Sequence, residues 1–155
     1  MRIEFLFPGK TKNDYLAAGI EDFCGRLKRH AEIEVRILKE VKPAAKPDSM
    51  IKREEGALLL ARLQPKTFLI VLDPGGRDYS SEKLAACLGQ WRDRGVNHLT
   101  IVVGGALGLG EQVLARADLV LSLSKMTFTH EMARLLIVEQ LYRAFNILTG
   151  TGYHK

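Results

Sequence analysis

Residues 99–110 read Leu-Thr-Ile-Val-Val-Gly-Gly-Ala-Leu-Gly-Leu-Gly, a run of strand formers that passes straight into a glycine-rich loop. The run predicts a strand, and the continuous apolar run Phe68-Leu-Ile-Val-Leu72 predicts one covered on both faces, as in a parallel sheet. Leu119-Val-Leu-Ser-Leu123 predicts a third. Helical patterns separate them: Leu84, Leu88 and Trp91 behind Ser80-Ser81 and closed by Gly95, then a short helix around Leu114 and Ala117. Strands that alternate with helices indicate an α/β domain, a mainly parallel sheet with helices on both faces. Asp73-Pro-Gly-Gly76 reads as a turn after the Phe68 strand.

Toward the N-terminus, residues 2–7 form a strand that ends at Pro8-Gly9. Leu16, Ile20, Phe23 and Leu27 lie at i, i+4, i+7 and i+11, which predicts an amphipathic helix over 13–29. Ile33, Val35 and Ile37 alternate with charges, as in a strand near a sheet edge. A basic loop at 39–48, punctuated by Pro43 and Pro47, precedes a helix capped by Asp48 or Ser49 and running to about Leu63. Toward the C-terminus, Thr129 caps a long helix over 130–149 whose apolar residues cover more than one stripe. One sheet buries one stripe, so the second is expected to meet another copy of the chain.

The 155 residues suit one domain, taken as 1–155, with a substantial core. No apolar run approaches the roughly 20 residues that span a bilayer. Cys24 and Cys87 are far apart and unaccompanied by paired His or Cys, which argues against a disulfide framework or a metal site and for the reducing cytoplasm. The formal charge is +5, and from Arg36 to Arg53 six basic residues face only Glu40 and Asp48. Charge alone fits a solubilising surface or a polyanion such as RNA equally well.

Pro8-Gly9-Lys10-Thr11 resembles the end of a phosphate-binding loop, but the glycine required five residues before Gly9 is Glu4, and the ATP reading fails. Gly104–Gly110 sits where α/β sheets bind ligands, at a strand's C-terminal end. It carries no cation, which suits an adenine edge or a sulfonium better than a triphosphate. A loop that simply needs positive φ would look the same. Ser122-Leu-Ser-Lys-Met-Thr-Phe-Thr-His130 alternates hydroxyl and apolar residues beyond any strand. Tyr153-His154-Lys155, on a tether of Gly150 and Gly152, combines the groups that stack on a base and pair with phosphate.

Taken together, these segments resemble the bacterial ribosomal large-subunit methyltransferase H family, pseudouridine-N3 methyltransferases of the SPOUT class. The similarity covers the whole chain. Its blocks are Val71-Leu72-Asp73, Val103-Gly104-Gly105 with Gly108-Leu109, Ser122 to Phe128 with His130, Glu139-Gln-Leu-Tyr-Arg-Ala-Phe145, and Tyr153-His154. Ala106 and Thr129 depart from the family pattern, each standing where proline is common. The resemblance implies a C-terminal trefoil knot, where the residues alone suggest an unknotted doubly wound sheet. It also implies a homodimer that binds S-adenosylmethionine on Leu72, Gly104, Leu123, Ser124, Lys125, Met126, Thr127 and Phe128, and acts on 23S rRNA. For the chemistry, a uracil-type N3 must lose its proton before it attacks a methyl group, and a guanidinium stabilises the resulting anion. Arg143 is the candidate for that role, with Tyr153, His154 and Lys155 holding the base. His154 or water takes the proton. The competing reading is a non-enzymatic basic RNA-binding α/β module, which would have no cofactor affinity.

Overall fold

The computed structural model describes residues 1–42 and 45–154. Five strands form one sheet in the order β2-β1-β4-β3-β5. They are β1 (Arg2–Pro8), β2 (Glu32–Leu38), β3 (Phe68–Asp78), β4 (His98–Val103) and β5 (Leu119–Ser122), and every pairing is parallel. The alternating strand, β2, lies at an edge as its pattern requires, and β4, buried from Leu99 to Val103, lies at the centre.

Four α-helices connect the strands, α1 (Asp14–Leu27), α2 (Asp48–Arg62), α3 (Ser81–Asp93) and α4 (Glu111–Arg116), and a fifth, α5 (His130–Thr149), follows β5. Polar side chains begin three of them. Asn13 accepts from the Tyr15 and Leu16 amides, Ser80 from Lys83 and Thr129 from Met132. α2 departs from expectation: Pro47 is its cap residue and makes no side-chain bond. Asp48 is instead the first helical residue, where its charge complements the helix dipole.

Both sheet faces are covered. α1, α3 and α5 close the larger core around Phe5, Phe7, Ile70, Leu99, Ile101 and Leu121. α2 and α4 close a smaller one around Leu6, Leu69, Val71 and Val102. Asp73–Gly76 is more than a turn. β3 leaves β5 after Leu72, bulges outward, and pairs again at Arg77 and Asp78, so both Leu72 and Arg77 register with Leu121. Gly76 is forced by this path, because a Cβ there would lie 2.8 Å from the main chain of Val120 and Leu121.

The apolar breadth of α5 has a source inside the chain. α5 packs between α1 and α3 on one face of the sheet. Ile137, Val138 and Leu141 are buried in the core beneath it. Leu135 packs over Gly19 of α1, and Leu148 over Gly89 of α3. A helix wedged between two others needs apolar flanks as well as an apolar base, so the second stripe does not by itself call for another copy.

Candidate active site

A cleft of about 500 Å³ opens where β4 and β5 end and β3 bulges after Leu72, within the range of small-molecule sites. Its walls are Leu72 to Pro74, Val103 to Gly108, and Leu123 to Ala133 except Lys125, Glu131 and Met132. Seven of the eight residues expected to hold a cofactor therefore converge here: Leu72, Gly104, Leu123, Ser124, Met126, Thr127 and Phe128. Lys125 does not line the cleft. Its ammonium reaches Asp78 at 2.6 Å and depresses the pKa of that carboxyl, aided by Ser122.

The glycine loop is a tight turn. The Gly108 amide donates to the Gly105 carbonyl at 3.0 Å, and Gly108 alone in the loop has positive φ, +80°. Gly104 is constrained differently: a Cβ there would lie 2.9 Å from Leu109 and 3.0 Å from the Gly108 main chain. The connector after β5 is held by its hydroxyls. Ser122 donates to the Ser124 carbonyl, and Ser124 Oγ accepts from the Met126 amide. This leaves Met126 and Phe128 exposed at the mouth of the cleft.

The other rim rests on a buried arginine. Arg134, fully buried on α5, donates to the carbonyls of Pro8 and Gly9 and to Thr11 Oγ1, and lies 4.9 Å from the Phe7 ring centre. Burial lowers its pKa. Glu131, one turn earlier, accepts from the Lys12 and Asn13 amides at 2.9 and 3.1 Å. The loop after β1 is thereby fixed to the helix that carries His130 and Ala133 into the cleft. Burial, then the Arg134 charge, lowers the pKa of His130 and favours its neutral form. Among the described residues the lining contains no Lys or Arg, and its carboxylate is Asp73. Apolar walls, open main chain and one acid fit an adenosyl group with a cationic centre.

The residues expected to do the chemistry gather elsewhere. Arg143 donates through Nε and Nη2 to Glu139 Oε1 at 3.1 and 2.6 Å, and its guanidinium lies 4.9 Å from the Tyr153 ring centre. Tyr153 donates to the same oxygen at 3.2 Å and meets Tyr142 edge-on at 4.7 Å. Burial, with Glu139 beside it, raises the Tyr153 pKa. The side chain of His154 and all of Lys155 lie outside the described residues. Ala133 lines the cleft and Arg143 follows ten residues later on the same helix, about 15 Å along its axis. One chain thus brings Arg143 and Tyr153 together but leaves them at a distance from its own cleft. Glu139 is the organising residue that the sequence motifs do not single out. Its i, i+4 spacing to Arg143 is the signal that points to it.

The SPOUT family, described as "Predicted SPOUT methyltransferase", matches residues 1–154. The chain is 45% identical to ribosomal RNA large subunit methyltransferase H of Desulfotalea psychrophila, over the full length of both proteins. It is 42% identical to the protein of that name from Halothermothrix orenii, again over the full length of both. A solved probable methyltransferase from Bordetella pertussis shares the fold, with a TM-score of 0.55 and 15% identity over 92% of this chain and 95% of that one. These matches set aside the non-enzymatic reading: the chain belongs to the SPOUT methyltransferases, within the ribosomal RNA large subunit methyltransferase H family.

Proposed function

We propose that this enzyme uses S-adenosylmethionine to methylate N3 of a pseudouridine in 23S rRNA of the large subunit. In this reading it works in the cytoplasm as a homodimer of 1–155 domains, each with a C-terminal trefoil knot. The cation-free cleft at the glycine loop, in a chain so similar to ribosomal RNA methyltransferases, carries the reading. The separation of Arg143 and Tyr153 from that cleft supports the dimer, because a partner's tail can complete a site that one chain leaves open.

S-adenosylmethionine supplies an electrophilic methyl group on a sulfonium. The chain supplies alignment and charge. The backbone of Gly104 to Gly108, with Leu72, Leu123, Met126 and Phe128, encloses the adenosyl part, and Asp73 provides the charge opposite to a sulfonium. Glu139 accepts hydrogen bonds from Nε and Nη2 of Arg143, so the Nη1 edge serves the uracil carbonyls, where negative charge collects once N3 is deprotonated. Tyr153 positions the base, a role we extend to His154 and Lys155. Mass spectrometry of ribosomal RNA from a strain lacking the protein tests this. Loss of one methyl from a 23S pseudouridine is expected, and an unchanged modification pattern would reject it.

A further inference from the structure

Helix α1 closes with Arg26-Leu-Lys-Arg-His30. Two members of this run reach Tyr142: the Arg26 guanidinium and the His30 ring each lie 6.0 Å from its ring centre. Tyr142 in turn touches Tyr153, which lies against Arg143. The end of α1 is thus fastened to the tail cluster at two points. Lys28 and Arg29, between those points, are exposed, and their side chains make no hydrogen bond or ion pair among the described residues. The nearby acids are engaged. Asp22 pairs with Arg26 at 2.9 Å, Glu139 with Arg143 at 2.6 Å, and Glu32 faces Arg2 at 3.7 Å. Glu21 lies two turns before Lys28, about 10 Å away, roughly one Debye length in physiological salt. Beyond Glu139 the sequence contains no acid. A patch with two uncompensated cations therefore borders Tyr142, which packs against Tyr153, the aromatic residue proposed to hold the base.

We propose that Lys28 and Arg29 anchor the RNA backbone, each pairing with a phosphate of the strand whose base enters the tail site. This rests on the ribosomal RNA reading above. Phosphate pairing releases counterions and adds affinity without sequence preference. A purely local role, cations complementing the C-terminal end of the α1 dipole, would affect stability but not the substrate.

The test compares wild type with the double variants Lys28→Glu/Arg29→Glu and Lys28→Ala/Arg29→Ala, using tritiated S-adenosylmethionine and ribosomes from a strain lacking the protein. The expected result is a KM for ribosomes raised about tenfold or more, with kcat, cofactor affinity and thermal midpoint unchanged. The slope of log kcat/KM against log salt should become shallower by about two. An unchanged KM and salt slope in both variants would overturn the anchor, as would a lowered thermal midpoint as the only effect. A wild type that binds these ribosomes but transfers no methyl refutes the methylation reading instead. The same variants, compared by filter retention of ribosomes, then decide the anchor separately.

Discussion

The Tyr153 hydroxyl donates to Glu139 Oε1, the oxygen that also accepts two hydrogen bonds from Arg143. One carboxylate thereby sets the position of the tail's aromatic ring and of the guanidinium beneath it. Gln140 steadies its other oxygen at 2.7 Å, and Ser81 at the start of α3 donates to Gln140 at 2.6 Å.

Glu139→Gln should therefore impair methylation through residues it never shares with the cofactor. Hydrogen bonds to a charged partner contribute about 1.5–3 kcal/mol, so kcat on ribosomes is expected to fall about 10- to 100-fold. Cofactor affinity by calorimetry should not change. In an Arg143→Ala/Tyr153→Phe background the same substitution should add little, because both of its routes of action are already gone. Full additivity in that cycle would show that Glu139 acts some other way.

Gly104 and Gly105 should differ sharply despite being neighbours. An alanine Cβ at 104 would press on Leu109 and the Gly108 main chain at 2.9–3.0 Å, whereas at 105 its nearest neighbour is the Glu55 carboxylate at 3.4 Å. Gly104→Ala should cost about 1–3 kcal/mol and weaken S-adenosylmethionine binding. Gly105→Ala should leave the thermal midpoint in place. Equal midpoints for the two variants would contradict the packing described for the loop.

Much of this arrangement is legible in the amino-acid sequence. Three mostly apolar runs and the charged alternation of 33–37 are enough for a parallel sheet with its edge strand, because burial on one or two faces writes directly into side-chain period. The cleft residues can be named because ligands gather at the C-terminal ends of parallel strands. Long-range pairing is not legible. Nothing local to Asp73–Gly76 says that Arg77 returns to register with Leu121, or that α1 and α3 flank α5. Lys125 enters the cofactor set through the family resemblance of Leu123 to Phe128, and its pairing with Asp78 depends on the same hidden return of β3.

Cofactor binding should weaken in acid through His130. Its folded pKa lies below the ordinary value of 6.5, with burial the largest cause and Arg134 the next. The neutral form, and with it full affinity for a cationic ligand, is present above that lowered pKa and is lost as pH falls through it. Folding stability follows the same sign, since the unfolded chain takes up this proton more readily. Calorimetry from pH 8 to pH 5 should show the decline in wild type and a flatter profile in His130→Asn. Parallel profiles would remove His130 as the cause.

Arg134→Met should be the most destabilising single change near the cleft. It keeps the apolar stem but strips the partners from the Pro8 and Gly9 carbonyls. Orphaned buried groups cost about 1–3 kcal/mol each, so urea unfolding should register a loss of about 2–5 kcal/mol with an unchanged m-value. A loss below about 1 kcal/mol would mean that water replaces the guanidinium at little cost.

The Glu131 and Arg134 contacts also set a timetable for biosynthesis. Residues 8–13 are held by side chains 118–126 positions later in the chain. Synthesis at about 5–20 residues per second puts roughly ten seconds between the appearance of the first helix and that of its fastening. Throughout that interval α5, which packs against α1, is still unmade, so the apolar face of α1 with Ile20 and Leu27 waits for the last helix to be covered.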